Sequence, residues 1–243
     1  MIETGKKYRL NRNQIKYIAI TAMLLDHMAA FLLTPEKHPA LIVLYIIMRT
    51  IGRIAAPVMF YFLVEGYVHT SSRKNYALRL LAFAILSQIP YSLVRFGKAS
   101  AVDLNVLFTL LISFLMLAVT DMIKSQIIKG MAVALFMLIS VFADWGLLGP
   151  LMVWIFYMNK GNKIKQIRGY LMIICIQMIC TVIFLICNTQ NWYEEICQLG
   201  MFLMLLLLRF YNGEPGRKTV VNKWVFYVFY PLHLILIWLI LKA

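Results

Sequence analysis

Lys16 and His27 stand eleven residues apart in a largely apolar stretch, with Asp26 beside the histidine. On a helix with ~1.5 Å rise and ~3.6 residues per turn, that spacing puts both side chains on one face, about three turns or roughly 16 Å apart. A cation at the edge of an apolar segment and a titratable ring three turns inside it read as an anchor and a chemical centre. The distance matches the reach from a phosphate held at a bilayer surface to a reactive group on a long flexible arm. Four more titratable residues, Arg49, Arg53, Glu65 and His233, lie within apolar runs. Charge inside hydrocarbon is costly, so each is a functional candidate. Arg49 and Arg53 share a helix face as an i,i+4 pair and fall at the depth of His27, which predicts a polar cavity where two guanidiniums meet Asp26 and His27. The alternative for Asp26 and Arg53 is an ion pair that only locks two helices. Glu65, near the end of its span, is a site candidate or an interfacial partner of Arg73 or Arg79. His233 follows Pro231, whose kink would aim it at a cavity; a hydrogen-bonded structural histidine is the alternative.

The elements that must hold these residues are membrane helices. The chain of 243 residues is 62% hydrophobic, with mean hydropathy +0.79, and its apolar runs approach the length needed to cross ~30 Å of hydrocarbon. A β-barrel would alternate over ~10-residue segments, whereas Val133–Phe142 and Met201–Leu208 are apolar runs. The reading is an all-α, polytopic integral membrane helical bundle with nine spans at 16–33, 41–68, 77–95, 105–121, 127–143, 147–158, 168–188, 196–210 and 223–241. The count becomes ten if Gly52 breaks the long second segment. Residues 1–243 form a single transmembrane domain, with 1–15 a basic cytoplasmic segment. Ile15–Leu33 lacks a small-residue cleavage pattern and is expected to stay as the first helix.

The net charge of +14 is asymmetric along the chain. Lys6, Lys7, Arg9, Arg12 and Lys16 precede the first span; Arg73, Lys74, Arg79, Lys124, Lys129, Lys160, Lys163, Lys165, Arg168, Arg209, Arg217, Lys218 and Lys223 fall in alternate loops of the same side. The other side holds Lys37, Arg95, Lys98 and Lys242. By the positive-inside rule the N-terminus is cytoplasmic in a multi-pass protein of the cell membrane, and nine spans leave the C-terminus outside. Nucleic acid is not needed to account for the charge. Cys175, Cys180 and Cys187 lack metal-ligand spacing and read as packing residues, so no metal is expected; Cys187 and Cys197 flank an external loop, where a disulfide between them is open and free thiols are the preferred reading.

Six stretches resemble one family: Leu24-Leu25-Asp26-His27; Gly52-Arg53-Ile54-Ala55-Ala56-Pro57 leading to Val64-Glu65-Gly66-Tyr67-Val68-His69-Thr70; Gln88-Ile89-Pro90-Tyr91; Asn105-Val106-Leu107-Phe108-Thr109-Leu110; Ala143-Asp144-Trp145-Gly146; and Phe229-Tyr230-Pro231-Leu232-His233-Leu234. They are similar to the TraX family over nearly the whole chain. TraX proteins are known for N-terminal acetylation of conjugative pilin subunits. They resemble, distantly, the integral-membrane acyltransferase-3 superfamily, whose first helix carries a basic residue and a histidine at the spacing of Lys16 and His27.

The resemblance implies an acetyltransferase that takes an acetyl group from cytoplasmic acetyl-CoA, as co-substrate, to a peptide N-terminus, another amine, or a hydroxyl such as a sugar's. Lys16 would then hold a phosphate, His27 would act as general base, and Asp26, about 100° around the helix, would tune the local field. Arg53, with Arg49 second, would bind the cofactor or stabilise charge on the thioester oxygen. A small-solute transporter with a mid-membrane polar site is the alternative, although no internal repeat of the kind many transporters show stands out. The acceptor and the oligomeric state are not specified by the sequence.

Overall fold

The computed structural model describes residues 9–187 and 192–243. Lys6 and Lys7, and the residues joining Cys187 to the next helix, lie outside the described residues. The chain is helical, with no strand among the described residues: α1 (Arg12–Leu32), α2 (Ile42–Gly52), α3 (Ala55–His69), α4 (Arg73–Phe96), α5 (Val106–Met122), α6 (Gln126–Ser140), α7 (Leu148–Met158), α8 (Lys163–Cys187), α9 (Trp192–Cys197), α10 (Leu203–Phe210) and α11 (Val220–Lys242). Among the described residues, five helical segments are long and apolar enough to cross a membrane: α1, the joined α2–α3 unit from Pro39, α4, α8 and α11. α5, α6 and α7 are apolar but shorter, and residues 192–210 form a composite of α9, a 3-10 turn and α10. Among the described residues, five of the nine expected spans are thus of full crossing length, and the others are shorter.

α3 is the centre of the bundle. Ten of its 15 residues are buried, and from Ala55 to Val64 it carries no charged side chain on any face, as a helix segment enclosed on every side requires. It packs on α1, α5 and α7; α1 also packs on α2 and α11, and α11 on α4. α8, by contrast, buries only five of 25 residues and turns most of its apolar surface outward, which suits lipid.

Two local features correct the expected boundaries. α1 begins at Arg12, one turn before Lys16, because Asn11 accepts from the Gln14 N–H (3.0 Å) while the Gln14 side chain accepts from the Asn11 N–H (2.9 Å); this reciprocal cap satisfies two donors a helix start otherwise leaves open. The long second segment is interrupted at Arg53 and Ile54, and the cause is Pro57, which has no N–H to return to the Arg53 carbonyl. Gly52 has another role: a Cβ there would overlap the Asp26 side chain. It lets α2 press directly against α1.

The helices alternate between two ends of the bundle. The starts of α1, α4, α8 and α11 and the ends of α3 and α10 share one end, where Arg73 pairs with Asp121 at 3.1 Å. Arg12, Lys160, Lys163, Arg209, Arg217 and Lys218 line cavities there. The opposite end carries Lys37, Arg95 and Lys98. There Tyr193 donates to Glu36 (2.6 Å), tying α9 to the loop after α1 and holding that carboxyl below its usual range.

Candidate active site

The rings of His27 and His233 meet between α1 and α11. His233 Nδ1 lies 2.8 Å from the Phe229 carbonyl, one turn earlier on α11. A carbonyl only accepts, so Nδ1 carries the hydrogen and Nε2 of the neutral ring keeps its lone pair. That lone pair faces His27 Nδ1 at 2.6 Å; His27 Nδ1 must donate, which leaves Nε2 of His27 as the basic nitrogen. The ring planes differ by 5° and the centroids are 4.9 Å apart. With each nitrogen about 1.1 Å from its ring centre, those values describe two imidazoles edge to edge in one plane, joined by a straight hydrogen bond. Tyr230 and Phe31 flank His27.

His27 borders a cavity of about 440 Å³. α1 contributes Ile20, Met23, Asp26 and His27 to its wall; α2 and the break contribute Tyr45, Arg49 and Arg53; α11 contributes Phe226 and Tyr230. Asp26 Oδ1 is 2.8 Å from Arg49 Nη1 and 3.8 Å from Arg53 Nη2. The helix-locking ion pair expected for Asp26 therefore forms, with Arg49 rather than Arg53 as the closer partner. Asp26 and His27, adjacent in sequence, point to different partners as their ~100° offset requires. The pair of guanidiniums and the histidine do meet in one cavity. The Nε atoms of Arg49 and Arg53 and the Tyr230 hydroxyl are buried without a hydrogen-bond partner, while the two arginine side chains, 13% and 14% exposed, line the cavity.

The far wall is built by a segment that hydropathy reads as an ordinary loop. Asp144 and Trp145 line the cavity because the backbone of 142–144 pairs with Leu104: Leu104 N–H to Phe142 O at 2.9 Å and Asp144 N–H to Leu104 O at 2.8 Å. The Thr109 hydroxyl donates to the Asp144 carbonyl. Trp145 has φ +65°, a conformation that side chains other than glycine's seldom adopt. Asn105 caps α5 through Leu107 N–H (3.0 Å) and donates to Ala84 O (2.8 Å) and Gln88 Oε1 (2.9 Å); Gln88 in turn donates to Asp103 O (2.8 Å). Gln88, Asn105 and Asp144, distant in sequence, thus form one scaffold. Tyr91, Arg95 and Glu194 also reach the cavity. These residues are absent from a search for charge inside apolar runs, since Asp144 sits between helices, Glu194 in the short α9 ahead of the apolar run, and Arg95 at a helix end; the Gln88, Asn105 and Asp144 stretches were the available signal.

Lys16 does not enter this cavity. Its ammonium lies over the rings of Phe226 (4.9 Å) and Phe62 (5.8 Å) at the wall of a second cavity of about 660 Å³, with Arg12, Arg79, Arg217, Lys218 and Lys223. Phe226 lines the His27 cavity and its ring meets the Lys16 ammonium, so along α1 the stripe Lys16, Ile20, Met23, His27 leads from the second cavity to the first. Glu65 lies at this basic end, accepting from the Tyr211 hydroxyl at 2.8 Å. The expected pairing with Arg73 is replaced: Arg73 goes to Asp121 and stacks over Tyr67 at 4.1 Å. Glu65 and His27 thus occupy separate sites. All four cysteines are free, Cys187 and Cys197 included, and no cluster of metal-ligating side chains occurs among the described residues.

The family model described as TraX protein matches residues 11–241. The chain is also similar to the probable fimbrial assembly protein FimC, serogroup H1, of Dichelobacter nodosus, with 28% identity over 232 residues that cover 92% of this chain and 93% of that protein. No solved structure matches it. The stretches carrying Asp26 and His27, Arg53, Gln88, Asn105, Asp144 and His233 all fall within the matched range, and on that extent of agreement the chain belongs to the TraX family.

Proposed function

We propose that this protein is a membrane-embedded acetyltransferase that moves an acetyl group from cytoplasmic acetyl-CoA to an amine, His27 serving as general base. The observation that carries the reading is the chain Phe229 O, His233, His27, which leaves a basic Nε2 on His27 beside two arginines in a closed-in space. A base oriented by a second group and donors near the expected oxyanion are the parts acyl transfer needs.

In this scheme a neutral amine attacks the thioester carbonyl. The C–N bond forms, charge collects on the carbonyl oxygen near Arg53 and Arg49, and His27 Nε2 takes the amine proton. The C–S bond then breaks and the proton passes to sulfur, giving the amide and free thiol. The nucleotide rests in the basic cavity around Lys16, while the pantetheine arm follows the Lys16–His27 stripe past Phe226. The basic end faces the cytoplasm and the chain crosses nine times, the shorter helices and the α9–α10 composite counting as crossings, in the cell membrane. The fimbrial assembly named for the relative supports the N-terminal amine of a surface-fibre subunit as acceptor.

Purified protein in nanodiscs, given acetyl-labelled CoA and a synthetic subunit N-terminal peptide, tests this. Label should reach the peptide in the parent and stay on CoA in His27→Ala. Peptide that enters sealed vesicles unmodified would instead indicate transport.

A further inference from the structure

A third cavity, of about 750 Å³, lies beside the Lys16 cavity and belongs to neither the donor path nor the histidine site. The two basic spaces are divided by the Glu65–Tyr211 hydrogen bond. Its lining includes Arg9, Lys160, Lys163 and Arg209 against one carboxylate, Glu65, already engaged by Tyr211. Among the described residues none of the four cations is in a salt bridge. Lys160 lies over the Tyr157 ring at 4.0 Å and Lys163 donates to the Tyr211 carbonyl at 2.7 Å, while the charges of Arg9 and Lys163 repel one another. Like charges gathered around a hollow call for an anion.

The rim says which anion. Lys163 is followed on α8 by outward-facing Ile164 (64% exposed), and Arg209 is bracketed on α10 by exposed Leu206 and Phe210. Val68, itself in the lining, is also exposed. A cationic hollow that opens onto the apolar flank of membrane helices accommodates a molecule with a phosphate at one end and acyl chains at the other. We propose that this cavity holds the headgroup of an anionic membrane phospholipid. Through Tyr211 and the adjoining Asn212–Gly213 turn, the bound lipid steadies the wall it shares with the Lys16 cavity.

Native mass spectrometry of the full chain, purified from mixed phosphatidylglycerol and phosphatidylcholine, tests the site without any assay of acetyl transfer. The parent should retain phosphatidylglycerol preferentially. Arg209→Gln and Arg9→Gln should each lower that retention about five-fold, the weight of one interfacial charge, while Arg209→Lys keeps it and Lys129→Gln, outside the cavity, leaves it unchanged. Arg9→Gln decides the matter if Arg209→Gln does not fold. Equal retention of the two lipids, or undiminished phosphatidylglycerol in folded Arg9→Gln and Arg209→Gln, overturns the proposal. So does displacement of the lipid by millimolar inorganic phosphate with equal protection against thermal unfolding, which would assign the cavity to a free anion.

Discussion

His27 owes its tautomer to a neighbour 206 positions away, so the two histidines should fail differently when changed. His27→Ala removes the base and should lower transfer by ~10²–10⁴-fold. His233→Ala leaves the base but frees its ring to rotate and to place its proton on Nε2; the expected loss is about 10–100-fold, typical of a removed orienting partner. His233→Asn, whose amide oxygen can accept from His27 Nδ1, should recover part of that loss. Steady-state rates at saturating donor separate the three, and equal losses in all would reduce the pair to packing. Arg53→Lys should also fail, since a single ammonium does not reproduce a planar fork of donors. Lys16→Ala should raise KM for acetyl-CoA more than it lowers kcat, because a remote phosphate contact stabilises ground and transition states alike. The candidates Asp26, His27, Arg49, Arg53 and His233 were legible because burying charge in hydrocarbon is conspicuous in any sequence. Their pairing was not: the i to i+1 offset of Asp26 and His27 excluded a direct triad, but nothing local specified that His27 would find α11.

At the level of elements, close contact replaces side-chain bulk where the cavity is walled. Gly52→Ala should drive a methyl into Asp26 and cost about 1–3 kcal/mol, read as a lower melting temperature in detergent. Gly200 meets the Thr50 carbonyl in the same way, so the 3-10 turn before α10 lies tight against α2. Gln88→Ala should be at least as damaging, because it strips partners from Asn105 and from the Asp103 carbonyl inside the bundle, where each unsatisfied group costs ~1–3 kcal/mol. Circular dichroism on heating checks both; parental stability in Gln88→Ala would remove the scaffold role assigned to that residue. The long helices were readable from hydropathy, including the break near Gly52. Its exact place depends on a missing N–H at Pro57, and the inward fold of Asp144 depends on backbone pairing with Leu104. Neither leaves a trace in average hydropathy.

The whole molecule is polarised by charge. Arg73, Lys163, Arg209 and Lys223 gather at one end of the bundle, and Lys37, Arg95 and Lys98 lie at the other. Single cysteines at Lys124 or Lys165, in a background without native cysteines, should react with a membrane-impermeant maleimide only after the cell membrane is opened, and a cysteine at Lys37 should react in intact cells. The reverse pattern would invert the orientation drawn from the positive-inside rule. With that orientation, the basic cavity would open toward the cytoplasm, where the proposed acetyl-CoA is found, and the His27 cavity would lie toward the opposite face. A donor and an acceptor can then approach one carbonyl from two sides of the membrane.

The central claim is that His27 carries out acetyl transfer, and mass spectrometry of envelope peptides and metabolites tests it most directly, comparing cells that hold the parent protein, His27→Ala at equal abundance, or neither. A species heavier by ~42 Da, the mass of an acetyl group replacing hydrogen in acyl transfer, should appear with the parent and vanish in the other two. Its absence from all three, or its undiminished presence with His27→Ala, would contradict the account.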